Sequence, residues 1–435
     1  MKSKAPMPRK KLVFLDRDGT INKESGLIEK PEQLELIPGA AEGIKLLNDF
    51  GFIVVIVTNQ PQVARGICTE EEVKRINNRL LELLHFHNAK IDAVYYCPHH
   101  PDKGYAGERK EYKIDCDCRK PKIGMLKQAS EQFGIPLKDC YFVGDHSRDI
   151  KAAENAGCKS IGVMTGSGCK DGKYPSVPYI LSVDLLEASK FIVAYETLDS
   201  SAISKIPAVI IAGGLGKRLA PLTELIPKPL LPAEGGKPVL EHQIVWLKRE
   251  GIKEIILCTG YLSEKIESYF GNGSKFGVKI SYSVEPEELG TGGALKNAER
   301  LIAGRRFVAL YGDLLIDVDL RRMIAYHIAK GSLGTLALHP TNHPFDSDML
   351  KCNPSGKIIA FLGKPKPGQE FENLGNAGLY CLESAILKYF PANRSMLDKE
   401  VLPKVIAGGG NLYGFVTFEK IADMGTHDRY KKHRG

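Results

Sequence analysis

Short apolar runs alternate with longer amphipathic segments along the first half of the chain. Short runs rich in β-branched and aromatic residues predict strands, and longer segments with helical spacing predict helices. The predicted strands are residues 12–15, 52–57, 141–143 and 160–163, and the predicted helices are residues 40–49, 70–85 and 152–156. Regular alternation of this kind predicts an α/β domain with a parallel sheet and right-handed crossovers.

Polar residues follow three of the predicted strands. They are Asp16 and Asp18 after the first, Thr58 and Asn59 after the second, and Asp145 and Asp149 after the third. Ligands of open α/β sheets bind at the carboxyl ends of the strands, so these groups are expected to meet. Two neighbouring carboxylates repel each other unless a metal or a proton lies between them, and Lys120 supplies positive charge. Turn and cap residues give the same local pattern, so that alternative stays open.

These signals, in this order, resemble the haloacid dehalogenase-like phosphohydrolases over residues 11–194. The resemblance implies that Asp16 is a nucleophile forming an aspartyl phosphate and that Asp18 is a general acid and base. It implies Mg²⁺ bound by the Asp16 and Asp145 carboxylates and the Asp18 carbonyl. It also implies phosphoryl contacts from Thr58, Asn59 and Lys120, with Asp149 orienting its neighbours. The first motif is followed too quickly by a helix and a strand to leave room for a large cap domain.

Two pairs of metal-binding residue types flank a loop in this half. Cys97 and His99 precede the loop over residues 101–115, and Cys116 and Cys118 follow it. Three thiolates and one imidazole are the ligand set of a closed structural Zn²⁺ site, with His100 as a spare ligand. The loop is rich in Gly and Lys and has little to bury, so a metal would order it. A disulfide is the alternative.

The predicted zinc loop narrows the resemblance to phosphatases acting on histidinol phosphate or on heptose 1,7-bisphosphate. Residues 16–22, read with Cys118, Arg119, Lys120 and Pro121, are most similar to the heptose bisphosphate enzymes. On this reading Arg119 contacts the substrate, and zinc-pinned loops select it.

Polar and small residues at 196–205 predict a linker between a domain at 1–195 and one at 206–435. A buried-type strand at 208–212 then runs into a basic, glycine-rich turn containing Gly213, Gly214, Gly216, Lys217 and Arg218. Such a turn lets backbone amides approach phosphate oxygens. Taken alone, it would first suggest dinucleotide binding.

Residues 221–223 and 227–232, which contain Lys228, make the second half resemble the sugar-1-phosphate nucleotidyltransferases over residues 206–434. The resemblance implies a Rossmann-like mixed sheet, Mg²⁺ between Asp313 and Asp423, and catalysis by positioning and charge stabilisation. It places Arg218 and Lys228 on the triphosphate and Lys364 on the sugar phosphate, although Gly363 stands where many relatives have Glu. The base, ribose and sugar contacts would come from loops and a strand containing Glu285, Gly290, Thr291 and Asn376.

The loop over residues 339–344 and Asp346, Ser347 and Asp348 after it look closest to guanylyltransferases of the mannose 1-phosphate type, which favours GTP. A phosphatase that leaves the anomeric phosphate makes the substrate class that the second domain consumes. The joined halves therefore favour heptose over histidinol phosphate as the substrate. Two alternatives remain: a histidinol-phosphate phosphatase joined to a hexose 1-phosphate transferase, and a regulatory protein with a silent transferase half.

The composition fits this interpretation. The 435 residues are 43% hydrophobic and 26% charged, as in ordinary globular proteins with two or three domains. The net charge of +8 is scattered, which favours phosphorylated small molecules over nucleic acid. There is no signal-peptide core or membrane-length apolar run, residues 1–11 are expected to fray, and ten cysteines suggest a reducing compartment. A cytoplasmic enzyme, able to form homo-oligomers through its transferase domain, is expected.

Overall fold

The computed structural model describes residues 11–24, 26–341, 343–366, 368 and 370–434. The chain divides into two compact units, the first ending at Val193 and the second beginning at Ala194. Most of the predicted frayed segment at 1–11, and Asn342 of the predicted guanylyltransferase-like loop, lie outside the described residues. Among the helices that are described, none combines the length and apolar character needed to cross a membrane.

The first unit contains a six-stranded sheet in the order β3-β2-β1-β4-β5-β6, and every neighbouring pair is parallel. The predicted parallel α/β fold is therefore confirmed. Strand β1 is central, and all four of its side chains are fully buried, which fixes where the chain emerges at Asp16. The strands are β1 (Leu12–Leu15), β2 (Ile53–Asn59), β3 (Ala93–Cys97), β4 (Tyr141–Gly144), β5 (Lys159–Val163) and β6 (Ile180–Ser182).

The helices of this part are α1 (Ala40–Asp49), α2 (Glu70–Phe86), α3 (Gly124–Phe133), α4 (Ser147–Ala156) and α5 (Leu185–Thr197). Helix α1 has its predicted bounds, whereas α4 begins five residues earlier than predicted. Its first turn is capped, because the Asp149 carboxylate accepts from the His146 backbone N–H at 3.1 Å. This turn is polar in sequence, so the apolar pattern did not predict it. Strand β3 and helix α3, which flank the predicted zinc loop, were not predicted.

The second unit contains a nine-stranded sheet in the order β14-β13-β15-β10-β7-β8-β9, with β12 pairing β15 and β16. Strands β7 to β10 are parallel and β15 is antiparallel to β10, so the predicted mixed sheet is confirmed. A separate ribbon pairs β11 with β17. The strands are β7 (Ala208–Ile211), β8 (Glu254–Thr259), β9 (Lys279–Val284), β10 (Phe307–Tyr311), β11 (Leu314–Asp317), β12 (Gly334–His339), β13 (Met349–Cys352), β14 (Ile358–Gly363), β15 (Gly375–Leu382), β16 (Leu412–Val416) and β17 (Lys420–Asp423).

The helices of the second unit pack against this sheet and include a short one inside the predicted linker. They are α6 (Ser200–Ile203), α7 (Val239–Arg249), α8 (Ser263–Phe270), α9 (Gly290–Asn297), α10 (Glu299–Ile302), α11 (Leu320–Ala329), α12 (Leu402–Ala407) and α13 (His427–His433). The linker over 196–205 stays a prediction, and helix α6 lies within it. Asp199 caps α6 by accepting from the Ala202 N–H at 2.7 Å, and Ile203 is buried.

Candidate active sites

Asp16, the residue after β1, lies beside a buried lysine at the carboxyl edge of the first sheet. Lys120 Nζ is 2.8 Å from Asp16 Oδ1 and 2.7 Å from Asp149 Oδ1, and it donates to the Val57 carbonyl at 2.9 Å. Burial, then the charge of Asp149, raises the pKa of Asp16, while Lys120 acts in the opposite direction. Burial disfavours the charged form of Lys120, but the two carboxylates outweigh it and raise its pKa. Lys120 therefore stays charged beside the candidate nucleophile.

A second carboxylate, Asp145, joins Asp16 after β4. Ligand atoms of Asp16, Asp145, His146 and Asp149 all lie within 4.8 Å of one another. The Ser167 N–H donates to Asp145 Oδ2 at 2.8 Å, and a Cβ placed on Gly19 would come 2.4 Å from the same oxygen. A residue with a side chain would not fit at Gly19. The oxygen-rich donor set fits the predicted Mg²⁺.

Asp18 is held by a network that the sequence did not reveal. Arg17 is fully buried, and its Nε and terminal nitrogen lie 3.1 and 2.9 Å from the two Asp18 oxygens. Asn22 and Gln60 each donate to Asp18 at 2.9 Å, and Arg17 also donates to Asn77 of α2 at 2.8 Å. Burial would raise the pKa of Asp18, but Arg17 and the hydrogen bonds outweigh it and lower that pKa. Asp18 is therefore held as a carboxylate.

The structure gives the predicted phosphate-binding residues Thr58 and Asn59 protein partners. Thr58 Oγ1 accepts from Gln60 Nε2 at 2.8 Å. Asn59 Oδ1 accepts from the Lys120 N–H at 3.0 Å, and Asn59 Nδ2 donates to the Lys120 carbonyl at 3.2 Å. Asn59 thus fixes the backbone of Lys120, and its contact with a phosphoryl group stays a prediction.

The four predicted zinc ligands converge although the loop over residues 101–115 separates the two pairs. Cys118 Sγ lies 3.2 Å from Cys97 Sγ, 3.0 Å from Cys116 Sγ and 3.3 Å from His99 Nδ1, and all four donors lie within 4.8 Å of one another. All the cysteines are free thiols, so no disulfide forms in the described part of the chain. Three sulfurs and one imidazole in this arrangement fit a four-coordinate Zn²⁺.

Arg119 and His100, which lie next to this cluster in the sequence, have different roles. Arg119 donates to the His99 carbonyl at 3.1 Å, so the residue before Lys120 is tied to the predicted zinc loop. His100 lies outside the cluster, because its Nδ1 accepts from the Asp102 N–H at 3.2 Å.

In the second unit, pairing of β11 with β17 brings Asp313 and Asp423 together. Leu314 lies opposite Asp423 in the ribbon, and the Met424 N–H donates to the Asp313 carbonyl at 2.9 Å. The Asp313 carboxylate forms an ion pair with Lys228. Arg429 of α13 contacts both Asp423 oxygens, at 2.9 and 2.8 Å. Asp313, directly before β11, and Asp423, at the end of β17, therefore each contact a cationic side chain.

The predicted glycine-rich turn lies next to these groups. A Cβ on Gly213 would come 2.4 Å from Glu285 Oε1, and one on Gly425 would come 3.2 Å from an Arg218 nitrogen. Arg218 therefore approaches the turn that follows Asp423. Gly216 precedes a single 3-10 turn over Lys217–Leu219. Gly214, Lys217 and Arg218 are exposed, which leaves their polar groups accessible to a ligand.

The remaining predicted residues occur in two groups. Lys364 contacts Asp346 at 2.6 Å, and Asp346 contacts Arg429 at 2.7 Å. Asn376 Nδ2 donates to Asp398 Oδ1 at 2.8 Å.

Gly290 and Thr291, which were predicted to lie in a loop, form the first turn of α9, and this turn packs on the segment before Asp398. Thr291 Oγ1 accepts from the Leu397 N–H at 2.8 Å, and a Cβ on Gly290 would come 2.6 Å from the Ser395 carbonyl.

Sequence reasoning missed several polar residues of both sites, namely Arg17, Gln60 and His146 in the first and Arg429 and Asp398 in the second. Arg17 stands between the two aspartates of the first motif, and that position was a usable signal. Asp398 stands in no recognised motif, and only the fold brings it to Asn376.

The folds and sites define two enzyme classes. Residues 207–434 match the family model described as Nucleotidyl transferase, and residues 117–188 match the one described as HAD-hydrolase-like. The chain belongs to the nucleotidyltransferase family over its second half and to the HAD-like hydrolases over its first. It is a hydrolase joined to a transferase.

Two curated relatives each match one half. A D-glycero-alpha-D-manno-heptose 1-phosphate guanylyltransferase of Aneurinibacillus thermoaerophilus is 38% identical over 52% of this chain and 95% of its own length. A D-glycero-beta-D-manno-heptose-1,7-bisphosphate 7-phosphatase of Haemophilus ducreyi is 40% identical over 36% of this chain and 85% of its own length. Among solved structures, HddC from Yersinia pseudotuberculosis with GMP-PN is 28% identical, covering 53% of this chain and 98% of that one, with a TM-score of 0.47.

Proposed function

We propose that this chain is a bifunctional enzyme of nucleotide-activated heptose biosynthesis. It removes the 7-phosphate of a D-glycero-D-manno-heptose 1,7-bisphosphate and then transfers a nucleotidyl group to the resulting heptose 1-phosphate. The observation that carries the proposal is that one chain holds both sites, and the product class of one is the substrate class of the other. The names of the two relatives support the same pair of substrates.

In the phosphatase reaction an Asp16 oxygen attacks phosphorus and the bond to the sugar oxygen breaks. Lys120, 2.8 Å from Asp16, offsets the negative charge that gathers there. Asp18 protonates the departing oxygen and then accepts a proton from the water that hydrolyses the aspartyl phosphate. The network around Arg17 favours the ionised form of Asp18, which suits the second step. Mg²⁺, when held by Asp16 and Asp145, neutralises phosphoryl charge.

In the transferase reaction a phosphate oxygen of the sugar 1-phosphate attacks the α-phosphorus of the nucleotide, and pyrophosphate leaves. Arg218 and Lys228 hold the triphosphate, and Lys364 holds the sugar phosphate. Mg²⁺, when held by Asp313 and Asp423, neutralises the α-phosphate. In the structure Lys228 and Arg429 pair with those two aspartates, so a cation held there would compete with both side chains for the carboxylates. No protein nucleophile is required.

The relatives differ in anomeric configuration, since the phosphatase name specifies beta and the guanylyltransferase name alpha. Hydrolysis at the 7-phosphate leaves the anomeric carbon untouched, so sequential action needs one anomer for both halves. The phosphate on the anomeric carbon is the reacting group in the transferase reaction, whereas the phosphatase reacts at the far end of the sugar. We therefore propose the alpha anomer, with the phosphatase half adapted to it.

The nucleotide and the metals complete the proposal. GTP is the proposed donor, supported by the guanylyltransferase relative and by the loop around Asp346. The thiol and imidazole cluster at Cys97 supports structural Zn²⁺, and the carboxylates around Asp16 support Mg²⁺ in the first unit. Mg²⁺ at Asp313 and Asp423 stays a prediction. Assembly through the transferase unit stays a prediction, which sedimentation of the full chain measures.

The test is a substrate panel in which phosphate and pyrophosphate are read separately. The full chain receives both anomers of heptose 1,7-bisphosphate, histidinol phosphate, and sugar 1-phosphates with GTP, ATP or UTP. The expected result is phosphate from the alpha bisphosphate and pyrophosphate from GTP with its product. If phosphate is released from histidinol phosphate and not from either heptose bisphosphate, the heptose assignment is contradicted. If no pyrophosphate is released from any pair of substrates, the transferase half is silent.

Single-site variants show whether the two reactions use separate sites. Asp16→Asn is expected to abolish phosphate release and leave pyrophosphate release from heptose 1-phosphate intact. Asp313→Ala is expected to do the reverse. Loss of both activities in either variant would contradict two independent sites.

A further inference from the structure

A cavity of about 700 Å³ lies beside β14 and α12 of the second unit. Its charged lining residues are Asp348, Lys364, Asp398 and Lys399, and the rest of the wall is mostly apolar side chains from β14 and α12. Ligand sites commonly combine an apolar wall with a few placed polar groups. Since Lys364 is the proposed holder of the sugar phosphate, this cavity is where the sugar would lie.

The carboxylate of Asp398 is fixed in this wall by three hydrogen bonds. Oδ1 accepts from Asn376 Nδ2 at 2.8 Å and from the Tyr380 hydroxyl at 2.8 Å, and Oδ2 accepts from the Tyr311 hydroxyl. An ionised carboxylate accepts about four hydrogen bonds, two at each oxygen. The described residues supply one donor to Oδ2, so this oxygen retains an acceptor position.

The backbone around Asp398 is also unusual. Residues Leu397–Val401 form a single π-helical turn, and the Leu397 N–H donates to Thr291 Oγ1 at 2.8 Å. Such turns are rare and occur often at functional sites. Thr291 and Asn376, which the sequence marked as substrate contacts, thus hold Asp398 in place. Asp398 is half-buried, and withdrawing a carboxylate from water is costly unless hydrogen bonds compensate for it.

We propose that Asp398 accepts a hydrogen bond from one hydroxyl of the sugar 1-phosphate and selects the sugar that the transferase site takes. This inference rests on the proposed transferase function. A site built to receive a hydroxyl rejects an analogue that lacks it, because the buried acceptor is then left short of a partner. Asn376, Tyr311 and Tyr380 act as positioning residues that aim the carboxylate.

The test measures kcat/KM for pyrophosphate release by the full chain with GTP. The substrates are D-glycero-D-manno-heptose 1-phosphate and a series of analogues that each lack one hydroxyl. In the wild type, kcat/KM for one of these analogues is expected to be about 10- to 100-fold lower than for the heptose 1-phosphate itself. In Asp398→Ala and in Asp398→Asn, which keeps the side-chain volume, the loss for that analogue is expected to shrink to less than about threefold. Glu400→Gln, an exposed neighbour in the same turn, is expected to match the wild type.

The outcomes separate the inference from the function on which it rests. If each analogue's loss in kcat/KM is the same in the wild type and in both Asp398 variants, the inference is overturned while the transferase assignment stands. If the wild type releases no pyrophosphate with any sugar 1-phosphate, the proposed function and the inference both fail. The wild-type series needs no substitution, so a misfolded variant does not block the test.

Discussion

At the scale of single residues, the phosphatase site depends on buried charges that compensate one another. Lys120 is fully buried between Asp16 and Asp149, which are buried as well. Removing one partner of a buried ion pair leaves an uncompensated charge, which costs far more than losing a surface pair. Lys120, which is proposed to serve catalysis, therefore also serves stability.

Lys120→Met is expected to lower the free energy of unfolding of the first unit by about 3–5 kcal/mol and to abolish phosphate release. Circular dichroism during urea unfolding measures the first effect. Lys122→Met is the matched control, because Lys122 pairs with Asp115 at the surface and such pairs contribute about 1 kcal/mol or less. Equal effects of the two substitutions would refute the buried-pair account.

His327 makes the stability of the second unit depend on pH. It is fully buried, with Nδ1 2.9 Å from Thr335 Oγ1 and Nε2 3.2 Å from Glu383 Oε1. Burial lowers the pKa of His327 in spite of Glu383. Below about pH 6.5, the ordinary histidine value, the unfolded chain binds a proton that the folded chain resists. The contribution of His327 to the free energy of unfolding is therefore constant above that pH. As the pH drops below it, the free energy of unfolding decreases by up to about 1.4 kcal/mol per pH unit.

Fluorescence of Trp246 measures this directly, since it is the single tryptophan of the chain and is buried in α7. His327→Gln is expected to flatten the decline in stability between pH 6.5 and 5, whereas His433→Gln, near the end of α13, is expected to keep it. If His327→Gln leaves the dependence of the unfolding free energy on pH unchanged, groups other than His327 cause that dependence.

At the scale of elements, the segment between β3 and α3 is held by its thiol and imidazole cluster more than by a core. Many of its side chains are exposed, and Arg119, the residue before Lys120, donates to the His99 carbonyl within it. A metal that orders this loop would therefore also order the backbone of Lys120.

Cys116→Ser is expected to lower the zinc content of the purified protein and to reduce phosphate release at least about 10-fold. Pyrophosphate release is expected to stay unchanged, because the cluster belongs to the first unit alone. Elemental analysis and the two product assays measure these effects. Cys158→Ser, a thiol of the same unit outside the cluster, serves as the control, and a wild-type protein without zinc would end this interpretation.

At the scale of the whole molecule, each compact unit carries its own proposed ligands. A ligand that binds only the folded form stabilises it by about 2.7 kcal/mol at one hundred times its dissociation constant. GTP with Mg²⁺ is therefore expected to raise the unfolding midpoint reported by Trp246, and Asp313→Ala is expected to remove most of that rise. A rise that survives Asp313→Ala would place the nucleotide elsewhere.

The sequence by itself determined the pattern of strands and helices, the two families, and the residues that stand at strand ends. Asp16 and Asp313 are examples, because apolar periodicity fixes where a buried strand stops. Only the tertiary structure decided which distant groups meet. Arg17 with Asn77, Lys228 with Asp313, and Asn376 with Asp398 are paired by strand register and loop path, and neither of these leaves a local signal in the chain.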